Sequence, residues 1–379
     1  MDKQTSSERW LIKMGIYLDN AATTQICSAA KKAIIEHLDD FGNPSSSHEF
    51  GRQARVLIDD ARERIAKCIN AEPNEIYFTS GGSEANTWAL QDRCPLASNV
   101  EHHSINTVSR FEVGHDGYID PEYLRKRIES INDAFFGAPD IVSCMYVNNE
   151  LGTKYNVEEL AKIIHDNNSI FHVDAVQALG NIPVDVKDIG CDMLSASGHK
   201  FGAPKGIGFL YVKNGTHIHS LIYGGKQEQG LRGGTENVLG IVSMAAALED
   251  AVEHMEEHNT HIKYLRDKML DKLLQIPGSN LNGSLENRVS GNINIRFSGV
   301  SGSKLVSLCS LYGIYISSGS ACNEGISEPS HVLKAIGLTD EEALNSIRIT
   351  IGYENTEEEI DQASKIITLL VERIRLDNE

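Results

Sequence analysis

Two stretches of sequence decide the class of fold: residues 170–177 read IFHVDAVQ, and residues 193–206 read MLSASGHKFGAPKG. Each begins with a short apolar run, which is typical of a buried strand, and then changes to small or polar residues. Asp174 comes at the carboxyl end of the first strand, where open α/β sheets bind ligands. Lys200 follows the second strand and precedes a loop rich in glycine and proline. Taken alone, Asp174 is more typical of a strand-end cap, and Lys200 of a solvated lysine.

The same alternation of strand and helix extends outward from these two stretches. Further strands are predicted at residues 75–79, 141–146 and 208–212, beside those at 170–173 and 193–196. Helices are predicted at residues 27–38, 52–68, 83–90, 121–130 and 157–166. Strands that alternate with helices predict right-handed crossovers and an α/β fold with a mostly parallel mixed sheet covered by helices.

The pattern changes after about Gly234. Residues 235–275 predict one long helix, and a second arrangement of strands and helices follows the break at 277–283. Its strands are predicted at 292–297, 314–317 and 347–351, and its helices at 303–311 and 356–373. We therefore predict a large domain over residues 15–250 and a smaller α+β domain over 251–379, on which residues 1–14 also pack.

The composition excludes several classes of protein. Hydrophobic residues make up 41% and charged residues 23% of the 379 residues, as in a soluble globular enzyme. A net charge of −18 argues against direct binding of nucleic acid or of an anionic membrane. The N-terminus lacks the apolar region of a signal peptide, which predicts a cytoplasmic protein. The seven cysteines contain no C-x-x-C pair and predict neither a disulfide framework nor a zinc ribbon.

A glycine-containing loop at residues 79–86, TSGGSEAN, joins a predicted strand to a predicted helix. Glycines permit close approach of an anion, and a helix N-terminus offers free N–H groups to it. The alternative is an ordinary turn in which Ser83 caps the helix. Neither of the common nucleotide-binding glycine motifs is present.

The order of these features along the chain favours one cofactor, pyridoxal phosphate. Its phosphate needs N–H and hydroxyl donors, its ring nitrogen a carboxylate, its aldehyde a lysine and its ring face a flat partner. Residues suited to these tasks follow one another as Ser83, His102, Asn149, Asp174, Gln177, Ser197, His199 and Lys200.

At these motifs the chain resembles the cysteine desulfurases, which are fold-type I, class-V-aminotransferase-like transferases that depend on pyridoxal phosphate. The resemblance covers residues 15 to about 370. It is carried by YLDNAATT at 17–24, GNPS at 42–45, TSGGSE at 79–84, EHH at 101–103, VNNE at 147–150, HVDAVQ at 172–177, GHK at 198–200, RGGT at 232–235 and SSGSAC at 317–322. The loop has Gly82 where many members of the family have alanine.

The resemblance implies the residues that bind the cofactor. Lys200 would hold pyridoxal phosphate covalently, Asp174 would pair with the ring nitrogen, and Gln177 would bond the phenolate oxygen. His102, rather than its neighbour His103, would stack on the ring and shuttle protons. The phosphate ligands would be Gly82, Ser83, Ser197 and His199, together with Thr235 from the partner subunit of a homodimer.

The resemblance also implies the reaction. Asn149 and Arg348 would hold the carboxylate of L-cysteine, and Cys322 would be the nucleophile that takes the sulfur as a persulfide while L-alanine leaves. Without the resemblance, Cys322 would be interpreted as a buried loop thiol. The sulfur would pass to an acceptor protein of unknown identity, in iron–sulfur assembly, tRNA thiolation or DNA phosphorothioation.

Two alternatives to this activity stay open. A selenocysteine lyase or cysteine sulfinate desulfinase of the same family could release product without Cys322. A weakly catalytic adaptor could present a persulfide or a dimer surface to a partner, although Lys200, Asp174 and His102 argue against it. Residues 254–258, HMEEH, match an inverted zinc-protease motif, but this acidic helix is better interpreted as a solvated face, and no metal is expected.

Overall fold

The computed structural model describes residues 15–107, 109–132, 139–318, 322–323 and 326–378, with the backbone alone at 322–323 and 326–327. Its strands are β1 Ile16–Tyr17, β2 Ile76–Thr79, β3 Pro95–Ser98, β4 Ser109–Phe111, β5 Ile141–Met145, β6 Ile170–Asp174, β7 Met193–Ser197, β8 Gly208–Val212, β9 Ser279–Leu281, β10 Asn292–Phe297, β11 Ile314–Tyr315, β12 Cys322–Asn323, β13 Ile326–Ser327 and β14 Ser346–Thr350. Its helices are α1 Ser28–Glu36, α2 Glu49–Cys68, α3 Gly82–Leu90, α4 Pro121–Ile131, α5 Val157–Asp166, α6 Val186–Ile189, α7 Val238–Glu253, α8 Met255–Leu273, α9 Gly302–Leu311, α10 His331–Ala335, α11 Asp340–Leu344 and α12 Glu357–Asn378.

The largest sheet has the strand order β2-β8-β7-β6-β5-β3-β4 in the described part of the chain. Strands β7, β6, β5, β3 and β4 run parallel to one another, whereas β8 runs antiparallel to both of its neighbours, β2 and β7. The prediction of a mostly parallel mixed sheet in an α/β fold is therefore confirmed. Strands β3 and β4, which the sequence pattern did not predict, lie at one side of this sheet. β3 starts with Pro95 and β4 has only three residues, so neither carries a strong periodic signal.

A smaller antiparallel sheet, with the order β14-β10-β9, lies in the second half of the chain. Its apolar face packs with α8 and α12 in a cluster separate from the one that covers the large sheet. α7 contributes to the first cluster and α8 to the second. However, Val332 and Leu333 of α10 pack with the first cluster, so the chain returns to the large sheet after residue 330. The bounds 15–250 and 251–379 stay a prediction.

The predicted long helix at 235–275 is two helices, because α7 ends at Glu253 and α8 starts at Met255. His254 lies between them with φ −98° and ψ 7°, outside helical geometry. Its Nδ1 bonds the Asp250 carbonyl oxygen at 2.9 Å, so the side chain competes for a backbone acceptor of the helix. A side chain–backbone bond of this kind leaves no trace in hydrophobic periodicity.

The beginning of the described chain joins the smaller cluster. β1 pairs in parallel with β11, and Ile16 and Leu18 are buried with the residues of the second cluster. The prediction that residues 1–14 pack on the smaller domain lies outside the described residues. None of the helices in the described ranges is long and apolar enough to cross a bilayer.

Candidate active site

Asp174 is the last residue of β6, in the middle of the large sheet, and its side chain is buried. Its Oδ1 accepts a hydrogen bond from the Val176 backbone N–H at 2.9 Å, and its Oδ2 accepts one from Asn86 Nδ2 at 2.7 Å. Burial raises the pKa of this carboxyl group, and the two hydrogen bonds oppose the rise. The site therefore holds a buried carboxylate that a cationic ring nitrogen would stabilise further.

Lys200 is the last residue of a short 3₁₀ turn, Gly198–Lys200, which directly follows the neighbouring strand β7. Its Nζ donates to the carbonyl oxygens of Ala21 at 2.6 Å and Ala22 at 2.8 Å. Burial, and secondly the charge of Arg348, lower the pKa of Lys200 to about 8. A much larger fraction of its amine is consequently neutral, and nucleophilic, at physiological pH than in a solvated lysine.

Gln177 and His199 meet the same N-terminal segment as Lys200. Gln177 Nε2 donates to the Ala21 carbonyl oxygen at 2.9 Å, the oxygen that Lys200 also bonds. His199 Nδ1 lies 3.2 Å from Thr23 Oγ1, and burial lowers the pKa of His199 to about 4. His199 is therefore a neutral imidazole that is free to donate from one nitrogen.

The glycine loop forms an uncapped helix N-terminus. α3 begins at Gly82, and its N-cap residue Gly81, with φ 153°, has no side-chain capping bond. The alternative interpretation, in which Ser83 caps the helix, is wrong, because Ser83 lies inside the first turn. Ser197, the last residue of β7, is adjacent, since a Cβ built on Gly81 would lie 3.5 Å from Ser197 Oγ. The first turn of α3 and the Ser197 hydroxyl thus form one concave donor surface suited to an anion.

Val176 explains why this loop carries Gly82 and not alanine. A Cβ built on Gly82 would lie 2.6 Å from Val176 Cγ2, too close for a β-branched side chain to avoid by rotation. We expect Gly82→Ala to reduce the free energy of unfolding by about 1–3 kcal/mol, as overpacking does. Urea unfolding of Gly82→Ala, Val176→Ala and the double variant measures this, and the double variant should recover most of the loss through a favourable coupling. A neutral Gly82→Ala in the wild-type background would contradict the overpacking argument.

Arg348 and Asn149 are in contact, through the side chain of Arg348 and the backbone of Asn149. Arg348 lies on β14, where its Nη1 donates to the Asn149 carbonyl oxygen at 2.8 Å and its Nη2 to Asp19 Oδ1 at 2.8 Å. The Arg348 side chain is buried, and its Nε has no hydrogen-bond partner among the described residues. A guanidinium group carries five N–H donors, so Nη1 and Nη2 each keep one further hydrogen, which suits the group to bind another carboxylate.

His102 lies at the start of a hydrogen-bonded chain that reaches Asp174. His102 Nδ1 is 2.7 Å from Ser104 Oγ, and Asn86 Nδ2 lies 2.9 Å from the same oxygen and 2.7 Å from Asp174 Oδ2. Although His102 keeps exposed surface, its partial desolvation lowers its pKa, and the charge of Asp174 opposes this. The sequence reasoning assigned no role to Asn86 or Ser104. Asn86 follows Gly82 by four residues, on the same helical face, and that spacing was the available signal.

The structure places two predicted site residues, Thr235 and Cys322, through the segments that contain them. Thr235 is exposed, in a segment held to α3 by the ion pair between Arg232 Nε and Glu84 Oε1 at 2.9 Å. Cys322 lies in β12, paired with Ser327, and its side chain is outside the described residues. The described chain on either side of Cys322 is attached near Asn149 and Arg348, the residues predicted to bind the substrate. Ser317 exchanges two backbone hydrogen bonds with Arg348, and Ser330 Oγ donates to Glu150 Oε2 at 2.5 Å.

The candidate zinc motif has a different environment. The rings of His254 and His258 stack with centroids 5.6 Å apart, and His258 stacks on Tyr353 at 4.3 Å. Over the described ranges, no group of three or more His, Cys, Asp or Glu side chains is arranged to hold a metal ion.

The fold and this site define a class-V aminotransferase. The family model for Aminotransferase class-V matches residues 16–363. A solved structure described as a NifS-like protein superposes with a TM-score of 0.85 at 34% identity, covering 95% of this chain and all of the other. A NifS-like protein from Rickettsia africae gives 0.85 at 31% identity, with 93% and 99% covered.

Curated relatives narrow the class. The cysteine desulfurase IscS of Dictyoglomus turgidum is 40% identical over 386 residues, covering 96% of each chain. That of Methanosarcina thermophila is 38% identical over 381 residues, covering 95% of this chain and 93% of the relative. The protein therefore belongs to the cysteine desulfurase family within class V, and the resemblance found in its motifs is confirmed.

Proposed function

We propose that this protein removes sulfur from L-cysteine with pyridoxal phosphate as cofactor, and gives L-alanine and a persulfide on Cys322. The observation that carries the proposal is the meeting of three features at one edge of the large sheet. They are the buried carboxylate that ends β6, the lysine of lowered pKa that follows β7 and the uncapped N-terminus of α3. One relative is described as SspA in complex with cysteine, at 32% identity and a TM-score of 0.75, with 90% of this chain and 100% of that chain covered.

The donor set fits the cofactor. The α3 N-terminus, with Gly82 and Ser83, the Ser197 hydroxyl and the neutral His199 ring would hold the phosphate. Asp174 would pair with the ring nitrogen, Gln177 would bond the phenolate oxygen, and the flat ring of His102 would lie against the ring face. Lys200 would hold the aldehyde carbon. The N-terminus of α3 has no side-chain cap, and Gln177 and Lys200 would exchange their bonds to the Ala21 and Ala22 carbonyl oxygens for bonds to the cofactor.

The substrate carboxylate would bind at Arg348. Its Nη groups are directed to Asp19 and to the Asn149 carbonyl oxygen, which fixes the plane of the guanidinium group, and the second hydrogen of each Nη would remain for the ligand. When bound, pyridoxal phosphate withdraws electrons from the amino acid and so weakens its Cβ–Sγ bond. Lys200, once released, and His102 would exchange protons with the substrate.

The sulfur step requires no external oxidant. The Cys322 thiolate attacks the substrate Sγ, the Cβ–Sγ bond breaks, and a new S–S bond forms. Cβ takes a proton in place of sulfur, so one cysteine and one thiol give one alanine and one persulfide. The attachments at Ser317 and Ser330 support this proposal, because they bring both flanks of Cys322 close to Arg348 and Glu150.

The test of this function is a single assay on the purified protein. We expect a yellow protein that converts L-cysteine, with a reductant, into equal amounts of sulfide and alanine. A yellow protein that is inert toward cysteine would contradict the proposal that L-cysteine is the substrate. A colourless protein that gains neither colour nor activity from added pyridoxal phosphate would contradict the proposal that pyridoxal phosphate is the cofactor.

The role of Arg348 gives a sharper prediction. Arg348→Lys retains the charge but not the fork of donors, so we expect KM for cysteine to rise about 10- to 100-fold, the equivalent of one charged hydrogen bond. Steady-state kinetics measure this, and the visible spectrum controls for cofactor binding. An unchanged KM would show that the carboxylate binds elsewhere.

We also propose that the enzyme is a homodimer. Exposed apolar side chains on and around α1 and α2 form a patch of Ile35, Leu38, Phe41, Phe50 and Val56. Phe41 is 78% exposed, and its ring contacts that of Phe50 with the centroids 5.1 Å apart and the planes tilted by 33°. Tyr223 is 89% exposed in the segment that leads to Thr235. Patches of this kind mark protein interfaces, and Thr235 would then reach the phosphate of the partner subunit.

Disrupting this patch should separate the subunits. We expect Phe41→Asp to give a monomer with weakened cofactor binding, measured by light scattering and visible absorbance. Leu376→Asp, at an exposed position on α12, is the matched control and should stay dimeric. A dimeric Phe41→Asp would contradict the assignment of the interface.

The compartment and the sulfur acceptor belong to the same proposal. The described cysteines Cys27, Cys68, Cys94, Cys144, Cys191 and Cys309 are unpaired, as in proteins of a reducing compartment, which supports a cytoplasmic location. The acceptor would be a protein that reaches Cys322.

A further inference from the structure

The direction of the hydrogen bonds between Asp174 and His102 follows from elementary chemistry. An ionised Asp174 carboxylate only accepts, so the Asn86 amide must present its NH₂ group to Oδ2, at 2.7 Å. The second hydrogen of the same NH₂ group points to Ser104 Oγ, at 2.9 Å. Asn86 is 1% exposed, so no solvent competes for these two donors. Turning the amide over would place its oxygen against the carboxylate, which excludes the reverse direction.

Ser104 transmits this direction to His102. Its hydroxyl oxygen accepts from Asn86 and lies 2.7 Å from His102 Nδ1, to which its one hydrogen can be donated when Nδ1 is unprotonated. The Ser104 backbone N–H also donates to Nδ1, at 3.1 Å, and a backbone N–H cannot become an acceptor. Nδ1 of His102 therefore faces two donors.

We infer that Ser104 and Asn86 are positioning residues that hold His102 in the tautomer with its proton on Nε2, the nitrogen away from Ser104. In a neutral imidazole one nitrogen donates and the other accepts, so a ring whose Nδ1 accepts twice carries its hydrogen on Nε2. Protonation of Nδ1 would place its hydrogen against the Ser104 backbone N–H. The neutral form is thereby favoured over the imidazolium.

The charges around His102 act on the same equilibrium. Asp174 favours the imidazolium, whereas burial, His103 and Lys200 favour the neutral ring. His331, whose Nε2 bonds the Glu101 carbonyl oxygen at 3.0 Å and whose ring lies 4.8 Å from that of His103, is also close. Burial has the largest effect, and the pKa of His102 lies below its ordinary value, in the direction that the two donors from Ser104 require.

The catalytic meaning of this tautomer rests on the proposed function. A neutral ring that presents Nε2–H meets the cleft as a hydrogen-bond donor, and with the cofactor bound it would stabilise the negative charge that the breaking Cβ–Sγ bond leaves on the carbon side. It accepts a proton only after giving up that hydrogen. His102 would thus act in the sulfur step as a hydrogen-bond donor, and Lys200 would be the base.

Nuclear magnetic resonance of the full chain, labelled with ¹⁵N in its histidine rings, tests the tautomer without reference to turnover. The His102 signals are those lost in His102→Gln. We expect a protonated Nε2 and an unprotonated Nδ1 in the wild type. Ser104→Ala removes the hydroxyl but keeps the backbone N–H, so we expect the same tautomer with a His102 pKa higher by about one unit, the size of one lost hydrogen bond.

Ser104→Thr, which keeps the hydroxyl, should restore the His102 pKa and is the control for a merely structural effect. A proton on Nδ1 in the wild type, or a Ser104→Ala variant with an unchanged His102 pKa, would overturn the inference. Sulfide formation is measured separately on the same variants. An inert wild type with the expected tautomer would refute the proposed function and leave the hydrogen-bond chain intact.

Discussion

Sulfide formation from cysteine is expected to fall by about 10⁴-fold or more in Lys200→Ala, because no other described amine lies in this position. Lys200 lies in the turn after β7, and its amine contacts the Ala21 and Ala22 carbonyl oxygens. Without it the cofactor has no covalent attachment and the substrate has no base. The visible absorbance of the purified variant and its yield of sulfide and alanine measure both losses.

Lys205→Ala is the matched control, since Lys205 is an exposed lysine in the same glycine- and proline-rich loop. It should keep the colour and the activity of the wild type. Turnover by Lys200→Ala would contradict the assignment of the lysine. Cellular function retained by Lys200→Ala without turnover would instead favour a non-catalytic adaptor.

The lowered pKa of Lys200 adds a pH dependence to this prediction. Only the neutral amine reacts with an aldehyde, and burial favours that form, which lowers the pKa to about 8. Uptake of added pyridoxal phosphate by cofactor-free protein should therefore accelerate about tenfold per pH unit below pH 8 and level off above it. A rate that keeps rising toward pH 10 would show a solvated lysine.

Cys322→Ser is expected to keep the spectrum of the wild type and to lose sulfide formation by at least about 10³-fold. A hydroxyl group at neutral pH is a far weaker nucleophile than a thiolate, whereas no cofactor ligand is changed. After reaction with cysteine, mass spectrometry of the wild type should show one added sulfur atom on the peptide that contains Cys322, and none in the variant.

Cys94→Ser is the matched control, because Cys94 is an exposed thiol away from the proposed site, beside Asp140. It should form the persulfide at the wild-type rate. Cysteine turnover by Cys322→Ser would refute the role of this thiol. Activity of that variant toward selenocysteine or cysteine sulfinate would favour the lyase or desulfinase alternative.

Much of the fold could be predicted from the sequence, because it depends on local physics. Strands β8 and β10 and helix α5 have the predicted bounds, since hydrophobic periodicity and flanking turn residues act within a few positions. The positions of Asp174 and Lys200 could be predicted for the same reason, because the sequence marks the strand ends at which they lie. The family resemblance extended this to residues with no local signal, such as Gln177 and Arg348.

Other features are decided by contacts between residues distant in the chain. The antiparallel course of β8 depends on how the strands assemble, and periodicity carries no direction. Asp19 meets Arg348 across 329 positions, and Asn86 meets Asp174 across 88. Burial, which lowers the pKa of Lys200 and removes solvent from Asn86, exists only after the chain has packed. The sequence by itself thus predicted most residues of the proposed site, but not Asn86 and Ser104. The tertiary structure decided their hydrogen-bond directions and protonation, because both depend on neighbours that only folding brings together.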